Sequence, residues 1–117
     1  MTSTTETRTL IRALEVFHDL DPDITLPSIL TLLYVNERDG QSENQYYCQE
    51  RLGMSMATVS RAVSHWAEFR RPRVEGLNMI ESIPDPEDRR YKRVTLKRSG
   101  LEFIDKVIEA MQHGSKD

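Results

Sequence analysis

Apolar residues recur at helical spacing in separate blocks along the chain, and the polar stretches between the blocks carry residues that start and stop helices. The first block, Leu10, Leu14 and Phe17 with Ile11 and Leu20 beside them, predicts a helix to about Leu20. Ser3-Thr4-Thr5-Glu6 reads as its capping box, with Ser3 bonding forward and Glu6 reaching back. Asp19 to Asp23, with Pro22 inside, breaks it. A second helix opens on Thr25 as N-cap, with Pro27 in the first turn and Ile24 stapling onto Ile29. Leu26, Ile29, Leu30 and Leu33 predict its buried face, widened by Leu32 and Val35. After a polar turn at Asp39-Gly40, Ser42-x-x-Gln45 reads as another capping box and starts a third helix that ends at Leu52, before Gly53.

Ser55 then caps a fourth helix, so the chain reads helix, tight turn, helix. At 100° per residue, Val59, Ala62, Val63 and Trp66 fall on one side of this helix. Ala57, Arg61 and Ser64 fall opposite, flanked by Thr58, Ser60 and His65. The periodicity changes beyond it. Arg70-Arg71-Pro72-Arg73 is expected to end regular structure, and the branched residues of Met79 to Ile83 and Arg93 to Leu96 predict two short strands. Between them Pro84-Asp85-Pro86-Glu87-Asp88-Arg89-Arg90 is too long for a tight hairpin turn, which makes it a wing. Leu101, Ile104, Ile108 and Met111, with Phe103 and Val107 nearby, predict a last helix from about Ser99 to Gln112. The expected fold class is mainly α with a small antiparallel β-wing (α+β), a winged helix-turn-helix. One domain is expected over residues 1–117: a dimerisation helix at 1–20, a core at 24–101 and a C-terminal helix at 99–113.

Composition narrows the picture. With 117 residues there is room for one core, and no run approaches the roughly 20 apolar residues of a membrane span. The start carries no basic apolar signal and there is a single cysteine, both of which fit a cytoplasmic location. On a short helix, Cys48 reads as a small buried hydrophobe in preference to a redox switch. His18, His65 and His113 lack ligand spacing, so neither a metal nor another cofactor is expected. No glycine-rich phosphate loop or nucleophile elbow occurs, and no enzymatic activity is expected.

Charge changes the picture most. The net charge is −3, yet residues 51–98 hold eleven Lys and Arg against six carboxylates, while residues 1–50 hold three arginines against nine. A basic segment on an acidic body is the electrostatic footprint of a nucleic-acid face. It coincides with the helix-turn-helix. A helix face of short hydroxyls, one alanine and one arginine lets the backbone enter a major groove while the arginine reaches guanine or phosphate. The candidate DNA-binding residues are therefore Ser55, Ala57, Thr58, Ser60, Arg61, Ser64 and His65 on a recognition helix at about 55–70. Arg89, Arg90 and Lys92 are the candidates on a wing at 84–92.

These residues also carry a family resemblance. Asp85-Pro86-Glu87-Asp88-Arg89-Arg90 followed by Val94-x-Leu96 and Gly100 resembles the wing signature of the MarR family. Thr58-Val59-Ser60-Arg61 resembles that family's recognition helix, and Ile24-Thr25 with Leu30 resembles the start of the helix before it. The match covers about residues 24 to 101. The resemblance implies a homodimeric binder of double-stranded DNA whose recognition helices enter successive major grooves while Arg90 reaches the flanking minor groove. It also implies that Asp88 orients that arginine. The expected role is a transcriptional repressor acting by occlusion of a promoter. The resemblance also implies a small-molecule effector pocket framed by the family's longer end helices; with 17 residues after Gly100 a small-molecule effector is a weaker expectation than DNA. The alternative is a winged helix for protein contact, or for replication and packaging of an episome or virus, with acidic Glu102, Asp105 and Glu109 facing the partner.

Overall fold

In the computed structural model, which describes residues 4–71 and 74–113, the periodic blocks form five helices. These are α1 (Thr4–Leu20), α2 (Leu26–Glu37), α3 (Gln45–Leu52), α4 (Met56–Trp66) and α5 (Arg98–His113). The strands among the described residues are β1 (Glu43–Asn44), β2 (Phe69–Arg71), β3 (Val74–Glu75), β4 (Ile80–Pro84) and β5 (Lys92–Leu96). Thr25–Leu101 is one compact unit, and the described parts of Met1–Ile24 and Glu102–Asp117 form another. The capping residue Ser3 lies outside the described residues.

The helix starts follow local hydrogen bonding. Thr25 caps α2, its hydroxyl accepting from the Ser28 backbone N–H, and Ser55 caps α4 in the same way through Thr58. Gly53 ends α3 in the left-handed region at φ +64°, where a side chain would be strained. The start of α3 differs from the Ser42 capping box expected. Asn44 is the cap, and its side-chain oxygen accepts from the Tyr46 N–H at 2.7 Å. Ser42 instead accepts from Arg93 Nε at 2.6 Å, and Gln45 turns inward. The reason is β1: pairing with β5 holds residues 43 and 44 extended, so the helix cannot begin before Gln45.

The core of the Thr25–Leu101 unit is built around Trp66. Its ring is fully buried with Val59, Ala62 and Val63 of α4, and its indole N–H donates to the Ser28 carbonyl at 2.6 Å. That bond helps set the face α2 presents. Ser28, Thr31, Leu32 and Val35 point inward, whereas Leu26 is 61% exposed and Leu33 also reaches solvent, so the expected apolar face is rotated. Small polar residues occupy the inner stripe because α2 and α4 pack side by side there.

Where α4 ends, its last carbonyls receive N–H groups from a loop: Leu77 donates to His65, Met79 to Trp66 and Asn78 to Ala67, at 2.7–3.0 Å. Between α4 and this loop regular structure does not stop as expected. Phe69–Arg71 and Val74–Glu75 form a short antiparallel pair, and residues 72–73 lie outside the described residues. The wing strands pair antiparallel from Ile80↔Leu96 to Pro84↔Lys92, and β1 adds to β5 to give the order β1-β5-β4. Gly100 sits against the Leu96 side chain and the Met79 carbonyl, a cradle that any Cβ would fill.

Cys48 is fully buried on α3 and is a free thiol. Burial pushes the thiol up to about 11. Alkylation at pH 8 is therefore expected to follow unfolding, not direct attack, and a reagent-concentration series at fixed temperature checks it. Since the unfolded thiol releases its proton near about 8.5, stability should fall as pH rises from that value toward about 11.

In the terminal unit, Phe17 meets Phe103 edge-on at a centroid distance of 5.1 Å, and Ala13, Ile104 and Val107 are buried with them. The rest of both stripes is open. Leu10 is 59% and Ile11 51% exposed, and Leu14, Ile108 and Met111 also reach solvent.

Candidate nucleic-acid interface

The face of α4 opposite Trp66 carries the residues expected from its periodicity. Ser55, Ala57 and Arg61 are exposed, while Thr58, Ser60 and Ser64 are half-buried. Arg61 is the only basic residue of α4 on this open face, so its guanidinium is available to a polyanion. Two of the expected residues turn inward. His65 is buried, with Nδ1 3.4 Å from the Ser28 hydroxyl, and its ring stacks beside Trp66. It lies about 120° around the helix from Val59, a border position that α2 covers. Its place among the expected DNA-facing residues is thus corrected. Ser60 accepts a hydrogen bond from Gln45 Nε2 at 2.7 Å, so its hydroxyl is engaged within the protein.

The wing loop is held by two aspartates with different tasks. Asp88 and Arg90 form a bidentate pair, with Nε to Oδ1 and Nη2 to Oδ2 both at 2.9 Å. These bonds hold the Asp88 carboxyl below the usual carboxylate range and raise the guanidinium above its own. Arg90 also lies 5.5 Å over the Tyr91 ring, and its side chain is 78% exposed, so the pair fixes the direction of the arginine without hiding it. Arg89 and Lys92 are exposed on either side.

Asp85, by contrast, is buried. Its Oδ1 accepts the Glu87 N–H at 2.9 Å, and its Oδ2 accepts from Asn44 Nδ2 at 2.7 Å and from Arg93 Nη1 at 3.3 Å. The Glu87 N–H contributes most, and with these partners it holds the carboxyl below its ordinary value. Asn44, Gln45, Asp85 and Arg93 stand outside the residues expected from sequence to serve the site. The one legible signal is the aspartate before Pro86, which favours a side chain bonding the backbone two residues on.

Two hollows flank the wing. One of about 500 Å³ separates α4 from the strands and is lined by Ser64, Glu81, Ser82, Lys92 and Lys97, which brings two of the expected residues, Ser64 and Lys92, to the same groove. The other, about 520 Å³, lies between the start of α3 and the wing tip and is lined by Tyr46, Tyr47, Asp88, Arg90 and Tyr91.

No protein-family model and no curated protein sequence matches the chain. Solved structures do. A MepR mutant from S. aureus bound to an oligodeoxyribonucleotide superposes with a TM-score of 0.73 at 19% identity, over 95% of this chain and 73% of that one. RV1404 from Mycobacterium tuberculosis gives 0.68 at 22% identity, over 96% and 70%. A MarR mutant from E. coli complexed with operator DNA gives 0.63 at 15% identity, over 91% and 67%. The order of helices, the three-stranded sheet and the wing are common to all of this architecture: the chain is a winged-helix protein with the MarR-type fold.

Proposed function

We propose that this chain is a DNA-binding transcriptional regulator that acts as a homodimer on double-stranded DNA, and that it represses by occupying a promoter. The observation that carries the reading is the pairing of an open, small-residue face on α4, with Arg61 exposed, with a wing whose Arg90 is held outward by Asp88. In this reading α4 enters the major groove, where Ser55, Ala57, Thr58 and Ser64 allow close approach and Arg61 reaches a base edge or phosphate. Arg90 enters the flanking minor groove, and Arg89 and Lys92 neutralise phosphates. Homodimer formation is supported by the open stripes of α1 and α5, because Leu10, Ile11, Leu14, Ile108 and Met111 form more exposed apolar surface than a solitary helix pair needs. Superposition on DNA-bound structures of the same fold supports the same reading.

A selection from random duplexes tests it. The expected product is a pseudo-palindrome with half-sites about 10 base pairs apart or a multiple of that. Binding to the selected duplex should weaken steeply with salt, the logarithm of affinity falling by about 0.9 per phosphate neutralised for each unit of log salt. Light scattering should give twice the chain mass. Failure to bind any duplex at low salt would overturn the reading.

A further inference from the structure

We propose that the neighbouring residues Asn44 and Gln45 form a positioning clamp that sets the wing at a fixed offset from α4, with Asp85 as its wing-side jaw. The proposal deepens the duplex-binding reading and rests on it. It names residues that touch no DNA yet decide how far apart the two DNA-facing elements sit.

The geometry is specific. Asn44 uses both ends of its amide: Oδ1 caps α3 through the Tyr46 N–H, and Nδ2 donates to Asp85 at the root of the wing loop. Gln45, the next residue, reaches the opposite way and donates to Ser60 on α4. All three of Asn44, Gln45 and Asp85 are buried, so each bond lies where a lost partner leaves a polar group without water. Arg93 closes the cluster, bonding both Asp85 and Ser42, and the Asn44↔Arg93 pairing of β1 with β5 keeps the register. Tyr46 adds an apolar contact to the same side, its ring 5.5 Å from that of Tyr91. The two adjacent amides thus hold α4 through one bond and the wing through the other. A duplex fixes the distance between a major-groove half-site and the minor groove beside it, so the clamp sets which flanking step Arg90 meets.

The test is a swap of polarity. Asp85→Asn leaves a single acceptor oxygen that cannot serve Asn44 Nδ2 and the Glu87 N–H from its two ends at once, and Asn44→Asp places two carboxylates face to face. Together they restore one donor and one acceptor between the two positions and keep the α3 cap, while Arg93 Nη1, which bonds the same Asp85 oxygen, faces the new amide and loses that bond. Two readouts are taken on the full chain, with thermal melting to show that each variant folds. In the free protein, amide exchange at Asp88 and Tyr91, whose N–H groups close the wing turn, should quicken in each single variant and slow again in the swap, short of the wild-type rate by the lost Arg93 bond. On the selected duplex, each single variant should lose affinity roughly tenfold. It should lose footprint protection at the flanking minor groove while half-site protection remains, and the swap should recover a large part of both.

Single variants that exchange and bind as wild type overturn the clamp. So does a swap no better than its parents, which would mean that the two residues act separately as ordinary fold supports. If the wild-type protein binds no duplex, the functional reading fails instead, and the exchange measurements still decide whether the clamp holds the wing.

Discussion

Trp66→Ala is expected to lower folding stability by about 3–5 kcal/mol, as large-to-small changes at fully buried aromatic positions do. Against the roughly 5–15 kcal/mol that domains commonly have, that is about a fifth of the stability or more. The ring has no exposed surface, so no water fills the space it leaves until the core opens. The cost is also structural, because the indole holds the Ser28 carbonyl and so fixes the contact between α2 and α4 that positions the whole open face of α4. Trp66→Phe keeps most of the volume but loses the hydrogen bond and part of the ring, leaving the buried Ser28 carbonyl without the indole donor, so about 1–3 kcal/mol is expected. Urea titrations followed by far-ultraviolet circular dichroism measure both, since the chain's only tryptophan is removed as a fluorescent probe. A Trp66→Ala protein with the wild-type midpoint would mean that this side of α4 is not interior.

Arg61→Ala and Arg90→Ala are each expected to weaken duplex binding tenfold or more, roughly the loss of one well-placed arginine contact, while leaving the melting temperature nearly unchanged. Arg61 is exposed on α4, and the Asp88 carboxylate and Tyr91 ring that Arg90 meets both reach solvent, so neither removal leaves a fully buried group stranded. The two losses should differ in kind. Without Arg61, discrimination among half-site sequences relaxes, because a guanidinium in a major groove reads base edges. Without Arg90, the preference for narrow, A·T-rich flanks disappears while half-site discrimination stays. Fluorescence anisotropy against a small panel of duplexes separates the two. If both variants bind as tightly as wild type, the two surfaces are not where this protein meets DNA.

The same contrast explains the His65 correction. A helical wheel places a residue to within a few tens of degrees, which suffices for Trp66 and Arg61 at the centres of their faces. It does not suffice at a border, where the neighbouring element decides. Ser28 of α2 reaches His65, and the ring goes in. The rotated face of α2 has the same origin: by hydropathy Leu26 and Leu33 should be inside, but Trp66 bonds α2 at Ser28, and Ser28 and Thr31 are the buried residues.

Much of this protein was set by signals that act over a few residues. The caps at Thr25 and Ser55, the left-handed stop at Gly53, the inward phase of Val59, Ala62, Val63 and Trp66, the wing loop after Pro84 and the confinement of basic charge to residues 51–98 all follow from hydrogen bonds and periodicities read along the chain. Tertiary structure alone decided what depends on a distant partner. It made β1 a third strand and moved the α3 cap to Asn44, it left the outer stripes of α1 and α5 open, and it joined Asn44 to Asp85 across 41 residues of sequence. A polar residue shows its own donors and acceptors in the sequence, but whether they are satisfied, and by whom, is settled only when burial removes water as the alternative.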